Sequence, residues 1–106
     1  MKEVIWNSSA KDILRELSGE AKKEFGLLIL DLQRGVRLQM PSSRPMPILG
    51  KGCHELRVKD SDGIYRAFYY VKLLDKIIVF HIFQKKSEKT ESIEIERGRR
   101  NLRELL

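Results

Sequence analysis

The chain has 106 residues, with 21 Lys and Arg, 15 Asp and Glu, a formal net charge of +6 and one Cys. A chain of this length buries only about two thirds of its unfolded surface, so we expect a single domain over residues 1–106 whose site lies in a shallow groove. A large multi-domain enzyme is excluded. One Cys cannot form an internal disulfide, and Lys2 and Glu3 stand where a signal peptide needs apolar residues, so we expect a cytoplasmic protein.

The positive charge is concentrated in the middle of the chain. Residues 51–89 carry nine basic and five acidic side chains, whereas residues 90–106 carry four of each. A cationic field attracts polyanions, which in the cytosol are nucleic acids and acidic protein segments. The same charge is also what keeps many small proteins soluble, so charge alone does not identify a partner.

The first third of the chain predicts a strand followed by a helical hairpin. Residues 3–6 are β-branched and aromatic, which is typical of a strand. Ser9 and Asp12 are spaced as a capping box, and an apolar stripe follows at helical spacing. This stripe consists of Ala10, Ile13, Leu14 and Leu17. Ser18 then predicts the cap of a second helix, which we expect to end near Gly35.

The rest of the chain predicts a long loop, a three-stranded meander and a terminal helix. All three prolines lie in residues 35–52, which excludes a regular helix or a central strand there. Alternating strands are predicted from residue 54 to a turn at 60–63, over 64–73, and over 77–84. Residues 93–106 fit a helix better than a strand. We therefore predict an α+β fold with the helices on one face of an antiparallel meander and the other face open.

The strand pattern predicts which side chains occupy each face of the sheet. We expect six residues to face the helices: Leu56, Val58, Tyr65, Ala67, Tyr69 and Val71. Ile78, Phe80 and Ile82 are expected to join them. The open face would then combine cations with aromatic rings, a composition that suits single-stranded RNA because cations bind phosphates and rings stack on unpaired bases. Alternatively, the rings only cover the sheet.

Other site chemistries find no support in the sequence. Cys53, His54 and His81 lack the spacing of a zinc site, because an adjacent Cys and His do not easily bind one ion. The segment 50–52 lacks the pattern of a phosphate-binding loop, and no nucleophilic triad stands out. We therefore expect neither a metal nor another cofactor.

Three segments resemble the phage-derived HigB-like branch of the RelE/ParE toxin superfamily. They are residues 49–58 (LGKGCHELRV), 63–71 (GIYRAFYYV) and 81–90 (HIFQKKSEKT). They occur in the order and spacing of that family, and the preceding strand and helical hairpin match as well. Cys53, His54, Glu91 and Gly98 depart from the family pattern, but none of these departures removes a cation.

The resemblance implies the toxin of a type II toxin–antitoxin system. Toxins of the RelE and HigB lineages cleave mRNA on the ribosome without a metal, by attack of the ribose 2′-hydroxyl on the adjacent phosphate. The implied partners are mRNA on the ribosome and a cognate antitoxin with a helix-turn-helix domain, which would contact DNA for the pair. The resemblance also leaves two alternatives open: a ParE-like inhibitor of DNA gyrase, and an inactive phage remnant that binds RNA or its antitoxin.

The resemblance also implies the residues of the site. The catalytic candidates are Arg57, Arg66, Lys85, Lys86 and His81. The RNA-binding candidates are Lys59, Phe68, Tyr70, Phe83 and Lys89. Arg57 and Arg66 would bind the scissile phosphate, and a Lys or His81 would transfer a proton. Because a residue on the open face lies outside the core, we expect Arg66→Ala to abolish toxicity and leave antitoxin binding intact.

Overall fold

The computed structural model describes residues 1–72, 75–86 and 91–106. Within these ranges the chain forms three α-helices and five strands. They are β1 (Glu3–Trp6), α1 (Ser8–Glu16), α2 (Gly19–Gln33), β2 (Ser43–Pro45), a 3₁₀ turn (Pro47–Leu49), β3 (Cys53–Asp60), β4 (Gly63–Lys72), β5 (Lys76–Lys85) and α3 (Ser92–Leu105). The predicted α+β class, the meander and the terminal helix are confirmed. No helix in these ranges is long and apolar enough to cross a bilayer.

The five strands form one sheet in the order β1-β5-β4-β3-β2. The meander β3-β4-β5 is antiparallel, and β1 pairs in parallel with β5. A parallel pair requires a crossover connection, which begins here with the hairpin of α1 and α2. The short strand β2 lies at the edge, where Pro45 removes no hydrogen bond from a central ladder.

Both N-terminal helices begin at a side-chain cap. The N–H of Ala10 donates to Oδ1 of Asn7 at 3.1 Å, and the N–H of Ala21 donates to Oγ of Ser18 at 3.0 Å. The second cap was predicted, but the capping box at Ser9 and Asp12 is wrong, because Asn7 itself caps α1. Helix α2 ends at Gln33, two residues before Gly35 adopts a φ of +88°.

Helices α1 and α2 cover one face of the sheet and form the larger core with it. All six residues predicted to face these helices belong to or pack against this core: Leu56, Val58, Tyr65, Ala67, Tyr69 and Val71. The helices contribute Ala10, Ala21, Phe25, Ile29 and Leu32. Strict alternation of side chains therefore holds along β3 and β4.

A β-bulge changes the alternation in β5. Phe68 of β4 pairs with His81, but the next residue, Tyr69, pairs with Val79, so Phe80 is an extra residue. As a result Ile77, Val79 and Ile82 face α1 and α2, whereas Ile78, Phe80 and Phe83 lie in the second core. The prediction that Ile78 and Phe80 face the helical hairpin is therefore wrong.

Helix α3 packs on the opposite face of the sheet, which is not open as predicted. Leu102, with Ile95 and Leu105, packs against a second cluster that includes Phe68, Ile78, Phe80 and Phe83. Gly98 allows this approach, because a Cβ at this position would lie 2.7 Å from Cδ2 of Phe68. The glycine that departs from the family pattern is therefore a packing requirement of this chain.

We expect the same substitution at two helical glycines to have opposite effects. A Cβ at Gly98 would overlap the buried ring of Phe68, so Gly98→Ala should lower the free energy of unfolding by about 1 kcal/mol once overpacking and helix propensity are combined. A Cβ at exposed Gly26 in α2 meets nothing within 4 Å, so Gly26→Ala should raise it by about 1 kcal/mol. Urea denaturation measures the free energy of unfolding of both variants. Equal changes in the two variants would contradict this account of α3 packing.

Candidate functional site

Four cationic side chains come together at one end of the sheet. Arg57 of β3 is directly opposite Arg66 of β4. Lys85 of β5 is opposite Ile64, which places it diagonally across from Arg66 on the same face. Arg44 of β2 is opposite Glu55. We call Arg44, Arg57, Arg66 and Lys85 the cation cluster. Two like charges directly opposite each other destabilise a sheet, so the pairing of Arg57 with Arg66 is not explained by stability.

Glu55 is the carboxylate at the centre of the cation cluster. Its side chain is fully buried, and its Oε1 lies 3.1 Å from Nε of Arg44 and 3.3 Å from Nε of Arg66. Arg44 donates a hydrogen bond to that oxygen, while the Nε of Arg66 is not aligned for one, and Nη1 of Arg66 donates to the carbonyl of Tyr65 at 3.1 Å. Glu55 therefore ties together arginines from two strands on either side of β3.

Arg57 and Arg66 line a groove of about 310 Å³ at the edge of β3. Pro41 and Ser42 form part of its wall, and exposed Lys59 adds another cation. Arg57 is half-buried, and its Nη1 contacts Sδ of Met40 at 3.2 Å. The lining of the groove also includes the carboxylate of Glu24, so three cations and one acidic side chain border this groove.

Burial changes the acidity of two members of the cation cluster. It lowers the pKa of Arg66, which is 4% exposed, and the neighbouring arginines add to this effect while Glu55 opposes it. Burial also lowers the pKa of Lys85, with Arg66 as the next cause. Lys85 is thus a cation that gives up its proton more readily than an exposed lysine. Lys86 is exposed, and Lys89 lies outside the described residues.

His81 lies on the same face as the cation cluster but is bound by α3. Its Nε2 is 2.9 Å from Oε1 of Glu94, and its Nδ1 is 3.3 Å from Nδ2 of Asn101. Both ring nitrogens of His81 are therefore engaged by side chains of α3. Burial is the main cause that lowers the pKa of His81. In this structure His81 therefore holds α3 against the sheet.

We expect this imidazole to make stability depend on pH between 7.5 and 5.5. The pKa of His81 is lower in the folded chain than in the unfolded chain, so the unfolded state takes up the proton first as the pH falls. The free energy of unfolding should therefore decrease below about pH 6.5, the ordinary pKa of histidine. Urea denaturation across this range should show the decrease in the natural protein and a weaker one in His81→Gln; an equal decrease in both would exclude His81 as the cause.

The aromatic side chains predicted to stack on RNA bases are largely covered. Phe68 is 0% exposed and Phe83 is 7% exposed, because both pack in the cluster beneath α3. Phe83 also stacks on His81, with ring centroids 5.3 Å apart. Tyr70 is half-buried, and it lies four residues along β4 from Arg66, about 13 Å away. The prediction that these rings form an exposed surface is therefore wrong, because α3 occupies that face.

Arg44 belongs to the cation cluster but was not among the predicted site residues. It lies in the segment rich in proline and serine that was predicted to be a long loop, but residues 43–45 of this segment form the short edge strand β2. Neither helical nor strand periodicity can be recognised in three residues, so the sequence does not show on which face of the sheet Arg44 lies. Within the ranges that the structure describes, no group of three or more His, Cys, Asp or Glu residues is arranged to hold a metal ion.

The fold and the site together define a small α+β protein with a groove lined by Arg57, Lys59 and Arg66 at one end of a five-stranded sheet. Its fold is similar to that of the isolated E. coli RelE toxin, with a TM-score of 0.59 and 15% sequence identity over 100% of both chains. A family model described as phage derived protein Gp49-like (DUF891) matches residues 12–103, and the chain belongs to this family. No curated protein matches the sequence significantly. The expected resemblance to RelE-like toxins is confirmed.

Proposed function

We propose that this protein is the toxin of a type II toxin–antitoxin system and cleaves mRNA on the ribosome. The observation that carries the proposal is the cation cluster, in which four cations lie at one end of the sheet beside a groove and two of them contact one buried carboxylate. Such a local excess of positive charge suits a phosphate group that gains negative charge during a reaction. The Gp49-like family and the RelE fold support the same assignment.

The proposed reaction requires charge stabilisation and two proton transfers. The ribose 2′-oxygen forms a bond to the adjacent phosphorus and loses its proton to a base, while the bond from phosphorus to the 5′-oxygen breaks and that oxygen takes up a proton. Arg57 and Arg66 lie directly opposite each other in the adjacent strands β3 and β4 and line the same groove, so their guanidinium groups bind the phosphate oxygens and stabilise the added charge. No step of this reaction needs a metal.

Lys85 is the proton donor in this proposal. Burial, and next to it the charge of Arg66, lowers the pKa of Lys85, so this side chain is a stronger acid than an exposed lysine. It lies diagonally across from Arg66, which places it beside the phosphate site. His81 is engaged with Glu94 and Asn101, so we assign the proton transfer to Lys85 and not to His81. Lys59, Lys86 and Lys89 bind the RNA backbone.

The proposed partner that neutralises the toxin is a cognate antitoxin with a helix-turn-helix domain. It binds DNA on behalf of the complex, so the pair represses its own promoter in the cytoplasm. An inhibitor of DNA gyrase with the same fold is the competing class. The cation cluster favours the nuclease, since binding a protein target does not require two arginines opposite each other in a sheet.

A primer-extension map of cellular mRNA after brief induction tests the proposed function. Without antitoxin, the natural protein should produce new 5′ ends inside translated regions, and the Arg57→Ala variant at equal abundance should produce none. Growth arrest with intact mRNA would overturn the nuclease assignment in favour of gyrase. Absence of both effects would indicate a chain without toxin activity.

A further inference from the structure

Burial of Glu55 has a cost that its cationic neighbours help to offset. The side chain is fully buried on the face of β3 that also carries Arg57, and an unpaired carboxylate in such a place is strongly unfavourable. Its Oε1 accepts a hydrogen bond from Nε of Arg44 and lies 3.3 Å from Nε of Arg66. One carboxylate oxygen therefore fixes guanidinium groups from β2 and β4 on the two sides of β3.

The two arginines differ in what they present to solvent. Arg66 is almost completely buried, whereas the side chain of Arg44 is 41% exposed. Arg44 is thus held at its Nε while part of its surface remains accessible. A long arginine side chain on a three-residue edge strand would otherwise lose considerable conformational entropy on binding a phosphate.

We propose that Glu55 is a positioning residue, whose buried carboxylate orders Arg44 and Arg66 so that Arg44 forms an additional contact with the RNA backbone. The inference rests on the proposed function for the identity of the ligand as single-stranded RNA. Arg44 would add a phosphate contact on the edge strand β2 to the contacts proposed for Arg57 on β3 and Arg66 on β4. RNA bound beside the groove would therefore contact β2 as well as β3 and β4.

Two roles of Glu55 predict opposite changes in RNA affinity for the same substitution, so the direction of the change distinguishes them. If Glu55 contributed only its negative charge, Glu55→Gln would strengthen the binding of a polyanion. If Glu55 orders the arginines, the same substitution should weaken RNA binding about tenfold, as expected for loss of a charge-assisted contact. It should also reduce by about one the slope of log affinity against log salt concentration, since one phosphate contact is lost.

The test measures binding of a fluorescent single-stranded RNA by the purified full-length chain over a range of salt concentrations. Four variants are compared with the natural protein: Glu55→Gln, Arg44→Ala, the double variant, and Glu16→Gln as a control for loss of an exposed carboxylate on α1. Far-UV circular dichroism establishes that each variant is folded. Arg44→Ala is a second, independent test, because it removes the proposed RNA contact and leaves the buried carboxylate of Glu55 beside Arg66 in place.

The proposal predicts that Arg44→Ala and Glu55→Gln each weaken binding and lower the salt slope. Both substitutions remove the same Arg44 contact. The loss of affinity in the double variant should therefore be smaller than the product of the two single losses. Tighter binding by Glu55→Gln, or unchanged binding by Arg44→Ala, would overturn the positioning role. RNA binding is measured without cleavage, so a natural protein that binds RNA and cleaves no mRNA would refute the proposed nuclease function and leave this inference standing.

Discussion

Arg57→Ala is expected to reduce mRNA cleavage by about 10²- to 10³-fold, the usual cost of removing one group that stabilises a developing negative charge. The fold should be as stable as before or slightly more stable. Arg57 lies opposite Arg66, and two cations in that relation repel each other, so removing one relieves the repulsion by a few tenths of a kcal/mol. Arg57 is only half-buried, and the described contact of its guanidinium is with Met40.

A matched control for this variant is Arg37→Ala. Arg37 is an exposed arginine in the segment after α2, and it borders a separate groove that includes His54 and Tyr69. Its loss removes the same charge from the protein but not from the cation cluster, so cleavage should remain within a few-fold of the natural rate. Equal losses in Arg37→Ala and Arg57→Ala would show that total charge, and not this site, determines activity.

Arg66→Ala is expected to lower the free energy of unfolding by about 3 kcal/mol, since breaking a buried ion pair leaves a charge without its partner. The charge that remains is the carboxylate of Glu55. Of the two arginines that contact it, this variant keeps Arg44 and loses Arg66. The premise from the sequence that Arg66 lies outside the core is wrong, because its side chain is buried beside Glu55. Loss of toxicity in this variant would combine loss of the site with loss of folded protein.

A double substitution separates these two effects of Arg66. Arg66→Met together with Glu55→Leu replaces the buried charges by apolar side chains, and such replacements are often neutral or stabilising. We expect the double variant to recover most of the stability lost in Arg66→Ala, as measured by urea denaturation, and to remain unable to cleave mRNA. Recovery of cleavage together with stability would contradict a role of Arg66 in the reaction.

The sequence predicted the elements whose periodicity extends over many residues. The alternation of β3 and β4 placed Arg57 and Arg66 on one face, and the structure places them opposite each other in adjacent strands. The apolar stripe of Ile95, Leu102 and Leu105 predicted α3, but not which face it covers. An apolar stripe on a helix shows that the helix packs against some apolar surface, but not which one. The burial of Phe68 and Phe83 beneath α3 was therefore not predictable from the sequence of their own strands.

Two further features depend on contacts that local patterns do not contain. The bulge at Phe80 inserts one residue into β5 and moves Ile78 and Phe80 to the face covered by α3, although the strand itself was predicted. Strand β2 is defined by its pairing with β3 and is too short for a periodic signal, so the place of Arg44 beside Glu55 emerges only in three dimensions. The roles of all these residues in RNA cleavage stay predictions.

The most direct test of the central claim compares cleavage rate and stability in the same preparations of natural protein and Arg57→Ala. The cleavage rate is measured on mRNA bound to purified translating ribosomes, and the free energy of unfolding by urea denaturation. The account predicts that the natural protein cleaves the mRNA and that Arg57→Ala is at least 100-fold slower with unchanged or higher stability. An Arg57→Ala protein that cleaves at the natural rate, or one whose lost activity follows lost stability, would contradict it.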